Sequence, residues 1–285
     1  MPMLKALWHA LPRRRQALAR PAEGPREDGA GAEVSSVVAL RREGRDHLRG
    51  EGAIELRGVR KALGRRPKET QVLTGVDAIF PRGRTIGVLG AAGAGKSTLV
   101  HLLTGNTRPD QGQVVHGMRV SWPMSARDIF RKEMTIRGNV RLLSALYGAW
   151  APEMIDAVKE IGKIRGQDLD TPINKLAPDF MIRASTSLCY ALDFDCYVAD
   201  DNLCGGSKTF REYIKALYQE RQKTHSLIIV TKNAGAIRDL CDDLYILEDG
   251  IIKTYENRLD AYRIFKGAAL NRQLDPKGEE GDDEL

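Results

Sequence analysis

The octapeptide GAAGAGKS, Gly90 to Ser97, constrains this chain more than any other stretch, because it fits the phosphate-cradling pattern GxxxxGK[S/T] with no position left over. Ahead of it, Thr85 to Leu89 is a short apolar run that reads as a buried strand. Behind it, Leu99, Val100, Leu102 and Leu103 recur at helical spacing until Gly105. A glycine-rich turn between a strand and a helix lets backbone N–H groups close on phosphates while the positive end of the helix dipole faces them. Gly90, Gly93, Ala94, Gly95, Lys96, Ser97 and Thr98 are therefore the expected nucleotide-binding residues. Lys96 is to reach the β and γ phosphates, and the Ser97 hydroxyl is to hold magnesium. ATP and Mg2+ are the expected ligands.

The 285 residues, 42% of them apolar, allow one large or two small domains with a proper core. The longest apolar runs, such as Leu227 to Val230, fall far short of the roughly 20 residues of a membrane span. Cys189, Cys196, Cys204 and Cys241 lie well apart with no CxxC pair, which argues against zinc and a disulfide framework and for a reducing, cytosolic setting. Net charge is +6, unevenly spread. Residues 1–20 carry five basic side chains and no acid, whereas residues 275–285 carry six acids and one lysine. Met3, Leu4, Leu7, Trp8 and Leu11 stand beside the N-terminal arginines, so this end reads either as a basic disordered tail or as a segment for an anionic membrane surface. It is not a secretory signal, since its charges follow the apolar residues. No nucleic-acid partner is expected.

The predicted organisation is a basic extension over residues 1–52, a folded domain over 53–267 and an acidic disordered tail over 268–285. Short apolar segments at Ile54 to Val59, Val72-Leu73 and Val76 to Phe80 suggest a β-rich layer leading into the phosphate loop. Gly112 to Val120 reads as a further strand ending at Ser121-Trp122-Pro123. The middle, about residues 127–190, changes to helical period. Thr135 is a plausible N-cap for a helix ending at Gly148, Pro152 opens a helix carrying Ile155, Val158, Ile161 and Ile164, and a third helical run follows Pro178. Residues 196–201 and Leu227 to Thr231 read as buried parallel strands joined by a helix from Thr209 to Gln222. The end is read as a hairpin turned by Asp249-Gly250. The expected fold class is thus α/β, a P-loop NTPase core with an antiparallel β layer and an inserted α-helical subdomain.

Asp200, at the end of an apolar strand, is the expected second holder of the magnesium shell beside Ser97. It lies 104 residues after Lys96, far more than a minimal β-α-β unit of roughly 30 residues requires, so a subdomain must be inserted between them.

With these residues in place, the chain from Ile54 to Lys266 resembles the ATP-binding subunits of ABC transporters. Ser121-Trp122-Pro123, Thr135 to Val140, Leu146-Tyr147-Gly148 and Phe194-Asp195-Cys196-Tyr197 are similar to the branch that exports capsular and other surface polysaccharides. The resemblance implies an ABC-type nucleotide-binding domain that works as a homodimer or as a heterodimer with another ABC ATPase. The pair sandwiches two ATP molecules and drives a transmembrane permease from the cytoplasmic face of the membrane.

Several positions depart from that family's pattern. The aromatic residue that stacks on adenine falls on Leu63, which weakens the base contact. The glutamine that links magnesium to the permease falls on Arg131. The Ser-Gly-Gly opening of the signature helix falls on Ala177-Pro178-Asp179-Phe180. There Pro178 has no N–H to offer, and Asp179 would repel a phosphate by about 4 kcal/mol at about 4 Å and an effective dielectric near 20. Pro and Asp also suit the first turn of any helix. The catalytic glutamate falls on Asp201, one methylene shorter, the switch histidine on Lys232 and the site-coupling aspartate on Ser207. Asp201 and Lys232 are accordingly the candidate catalytic residues. The expected function is ATP-driven export with weak hydrolysis; the alternative is a nucleotide-holding pseudo-ATPase that pairs with a competent paralogue or regulates export.

Overall fold

A computed structural model describes residues 52–64, 69–124, 129–201 and 205–274, with side chains as far as residue 268. The chain divides after His47, and the second unit, Leu48–Leu285, carries everything below. The extension over residues 1–51, Cys204 and the acidic tail from residue 275 lie outside the described residues.

The strands form two sheets that interleave along the chain. β1 (Ala53–Leu63), β2 (Thr70–Pro81) and β4 (Gln111–His116) form an antiparallel sheet ordered β2-β1-β4. The second sheet is ordered β5-β6-β7-β3-β8-β9, with β3 (Thr85–Gly90), β5 (Val120–Pro123), β6 (Cys196–Asp200), β7 (Ser226–Thr231) and β8 (Asp243–Glu248) parallel. β9 (Ile251–Thr254) returns antiparallel to β8 through Asp249 and Gly250, both left-handed at φ 52° and 72°. That is the backbone a two-residue Asp-Gly hairpin turn requires.

β3 and β7 are buried along their whole length, as strands covered on both faces must be. Side chains alternate between the faces. Cys196, Val198, Ile228 and Val230 join α1 (Lys96–Leu103) and the antiparallel sheet in one core. Tyr197, Ala199, Leu227 and Ile229 pack into the other, which is built from helices. Those helices are α2 (Ile136–Tyr147), α3 (Ala151–Gly162), the short α4 (Gly166–Leu169), α5 (Pro178–Ala191), α6 (Lys208–Arg221), α7 (Ala234–Ile237) and α8 (Arg258–Leu274).

Helix ends follow the sequence signals. Thr135 caps α2, its hydroxyl accepting from the Gly138 N–H at 3.0 Å, and Gly148 closes it at φ 67°. Proline lies in the first turn of both α3 and α5. Three expectations need correction. The strand read over Gly112 to Val120 is two strands in different sheets, because Gly117 crosses so close to Ala53 that a Cβ would lie 2.6 Å from that residue's carbonyl oxygen. Ile164 falls beyond α3, which stops at Gly162 with Lys163 left-handed at φ 51°. The chain does not finish on the hairpin: α8 follows and runs to Leu274, past residue 267.

The segments Ser121-Trp122-Pro123, Leu146-Tyr147-Gly148 and Phe194 to Tyr197 meet in space. Trp122, Tyr147 and Phe194 form a triangle with ring centroids 5.4–5.6 Å apart, and Tyr197 joins Phe194 edge-on at 6.1 Å. This cluster fastens α2 to the edge of the parallel sheet. Beside it, Arg221 is buried with its guanidinium over Tyr190 at 4.0 Å and beside Asp193 at 3.6 Å.

Candidate functional site: a phosphate loop at neighbouring strand ends

The sheet order β6-β7-β3 places Asp200, Lys232 and the phosphate loop at the C-terminal ends of three adjacent strands. Ligand sites in open α/β sheets gather on that edge. Gly90 ends β3, and the loop turns through Gly93 and Gly95, left-handed at φ 79° and 93°. A side chain at Gly95 would also strike Val72, 2.7 Å from its Cγ1, so glycine is required there by conformation and by space. Ala94 donates to the Ala91 carbonyl at 3.4 Å, and Lys96 Nζ donates to the same oxygen at 2.6 Å. The ammonium group therefore lies over the ring of the loop. Ser97 is exposed at the start of α1, whereas Thr98 is buried beneath it.

Asp200 is half-buried, and burial, reinforced by the charge of Asp201, pushes its pKa above the usual carboxylate value. The charges of His101 and Lys96 and a hydrogen bond from the Ser97 hydroxyl act in the opposite sense. A partly desolvated acid beside a hydroxyl and an ammonium group is a donor set that a hard cation and a phosphate chain both suit. His101 escaped the sequence reading, although its spacing of four from Ser97 puts both on one face of α1.

Asp201 follows immediately, exposed and left-handed at φ 61°. Its N–H donates to the Val230 carbonyl at 2.7 Å. Its Oδ1 accepts from Thr231 Oγ1 at 3.1 Å and from the Lys232 N–H at 3.3 Å. Asp201 and Lys232 are thus joined through backbone, while the Lys232 side chain is exposed.

The remaining candidates are spread more widely. Leu63 ends β1 and is 49% exposed. Nearby, Asp110 takes the Ala62 N–H at 2.7 Å and Lys61 Nζ at 2.6 Å, which fixes the strand end. Arg131 is exposed, and its backbone is held at both ends by buried Asn139: its N–H donates to Asn139 Oδ1 at 2.7 Å, and its carbonyl accepts from Asn139 Nδ2 at 2.9 Å. Ser207 caps α6 by accepting from the Phe210 N–H at 3.3 Å. Ala177 is the N-cap of α5, and Asp179 in its first turn pairs with Arg183 at 2.8 Å. The repulsion expected from Asp179 is therefore countered within its own helix. A cleft of about 460 Å³ borders the loop, between β2 and the β8–β9 turn; Ala91, Gly93 and Ala94 line it, whereas Lys96, Ser97, Asp200 and Asp201 do not.

A strand, a glycine loop over the N-terminus of a helix, and a carboxylate on a nearby strand end define a nucleotide-binding protein of the P-loop class. Residues 73–169 match the family model described as ABC transporter. The chain is similar to the ATP-binding protein BexA of Haemophilus influenzae, 31% identical over 194 residues that cover 68% of this chain and 89% of that protein. A polysialic acid transport ATP-binding protein, KpsT of Escherichia coli, is 31% identical over 199 residues, 68% of this chain and 90% of its own length. The chain belongs to the ABC transporter family. Among solved structures it resembles the dimeric ATP-binding cassette MJ0796 bound to ADP and Pi, with TM-score 0.61 and 16% identity over 72% of this chain and 99% of that one. It also resembles a nucleotide-free ATP-binding cassette, with TM-score 0.56 and 19% identity over 76% and 95%. These likenesses establish the fold as that of an ABC ATPase cassette. Among the described residues, no helix is long and apolar enough to cross a membrane.

Proposed function

We propose that this chain is the ATP-binding, slowly hydrolysing subunit of an ABC transporter that exports a capsular or other surface polysaccharide. It works as a pair of cassettes on the cytoplasmic face of a transmembrane permease. The observation that carries the reading is that the sheet order β6-β7-β3 brings the loop bearing Lys96 and Ser97 and the strand-end Asp200 to one edge of the sheet, with the Ser97 hydroxyl at the carboxylate. The polysaccharide cargo rests on the relatives, which include the capsule polysaccharide export ATP-binding protein CtrD of Neisseria meningitidis serogroup B, 29% identical over 194 residues. The pseudo-ATPase alternative draws no support from them.

The loop amides and the Lys96 ammonium grip the β and γ phosphates, the lysine leaving the Ala91 carbonyl to do so. Ser97 and Asp200 are the residues that would hold Mg2+, which when bound neutralises charge on the phosphates. Leu63 contributes apolar contact to the base, and Arg131 and Lys232 add positive charge around the nucleotide. Asp201 takes a proton from the attacking water as the new P–O bond forms and the bond to ADP breaks. A carboxylate one methylene shorter than glutamate sits farther from that water, a misplacement of a size that lowers the rate by about 10²-fold.

The test combines an ATP-binding titration with single-turnover hydrolysis on the purified chain. Wild type binds ATP and hydrolyses it slowly, and Lys96→Ala binds it roughly ten- to a hundredfold more weakly and loses hydrolysis. Equal affinity in the two proteins refutes the site.

A further inference from the structure

We propose that Thr231 is a positioning residue for hydrolysis, a buried hydroxyl that sets the Asp201 carboxylate; this rests on the reading of Asp201 as the proton acceptor. Thr231 ends β7 and is 1% exposed in a strand whose other members are Ser226 and four aliphatic residues. Its hydroxyl has two hydrogen bonds of fixed sense. The Asn233 N–H, which can only donate, reaches Thr231 Oγ1 at 3.1 Å. The hydroxyl's own hydrogen is left for Asp201 Oδ1 at 3.1 Å, because an ionised carboxylate can only accept. Asn233 is itself fixed as the cap of α7, its Oδ1 accepting from the Ala236 N–H at 3.3 Å. The Lys232 N–H closes on the same Asp201 oxygen at 3.3 Å.

The backbone at Asp201 shows why such a hold is needed. At φ 61° it occupies the left-handed region, which few non-glycine residues adopt though aspartate does so more readily than most, and an exposed aspartate has otherwise little to fix its side chain. The Asp201 N–H to Val230 carbonyl bond anchors the main chain, and Thr231 with the Lys232 amide anchors the carboxylate. The short side chain thus points where the end of β7 directs it. A proton acceptor held by one oxygen in this way keeps a constant bearing toward the strand ends where the γ-phosphate is to lie.

The test is single-turnover ATP hydrolysis and ATP affinity in the full chain, with thermal melting of each variant. Thr231→Val keeps the β-branched shape and removes the donor; its rate falls roughly tenfold or more while ATP affinity is unchanged. Thr231→Ser keeps the hydroxyl and stays close to wild type, and a matching loss in Thr231→Ser shows that the methyl's packing matters instead and overturns the proposal. In an Asp201→Asn background Thr231→Val lowers the residual rate no further; an equal, additive loss there also overturns it. Thr231→Val at the wild-type rate with Asp201→Asn impaired sinks the role of Thr231 and leaves the reading of Asp201 standing. Full activity in Asp201→Asn sinks that reading itself.

Discussion

Single residues decide how tightly this cassette binds and how fast it turns over. Lys96 carries the one ammonium group aimed into the phosphate loop among the described residues, so Lys96→Ala removes a charge-assisted contact of about 1.5–3 kcal/mol. ATP affinity then falls by roughly ten- to a hundredfold in a binding titration. Gly95→Ala meets both a left-handed backbone and the Val72 side chain, and lowers stability by about 1–3 kcal/mol in a denaturant melt. Asp201→Glu restores the missing methylene and raises the single-turnover rate by up to about 10²-fold; an unchanged rate would mean that reach is not what limits the wild type. The phosphate loop was legible in the sequence because its chemistry is local and needs glycines at fixed offsets. Thr231 was not, since one polar residue after an apolar strand shows no sign of the carboxylate that the neighbouring strand brings to it.

At the scale of elements, prolines and glycines gave away the helix ends, and unbroken apolar runs gave away the inner strands. The last helix was hidden because its apolar residues do not gather on one face: Leu259 and Ile264 are exposed, and among the side chains described in it only Ala261 and Phe265 are buried. The aromatic triangle binds α2 to the sheet through side chains that were visible only as separate short motifs. Phe194→Ala empties its centre and lowers unfolding free energy by about 3–5 kcal/mol, measured by denaturant titration. Between α5 and β6, a hydrogen bond with His225, helped by the nearby Arg221 charge, draws the Asp193 pKa down to about 2 from 3.8. A carboxyl with a depressed folded pKa stabilises the fold above its unfolded value, and that contribution is lost as pH falls through the folded one. Stability therefore drops between about pH 4 and pH 2, and Asp193→Asn flattens this acid limb in pH-dependent melts.

Taken as a whole molecule, the helical insertion follows from the 104-residue gap between Lys96 and Asp200 and the period change within it, and the antiparallel layer from the short apolar segments ahead of the phosphate loop. The change from one sheet to the other at Gly117 does not, because β4 and β5 are so close in sequence that they read as one strand. Assembly is argued at this scale. With Arg183 screening Asp179, the start of α5 no longer presents a bare negative charge to the second cassette of the proposed pair. Sedimentation is expected to show ATP-dependent doubling of mass in Asp201→Asn and none in Lys96→Ala. A chain that stays monomeric in both needs a different cassette as its mate.

The bond from Lys96 to the Ala91 carbonyl has a further consequence for how nucleotide arrives. The ring is already laced shut by its own lysine, so entry swaps one oxygen ligand for another instead of freezing a slack segment. If the loop takes a nucleotide as proposed, little chain entropy is then lost on docking, because the turn is already closed before the phosphates enter.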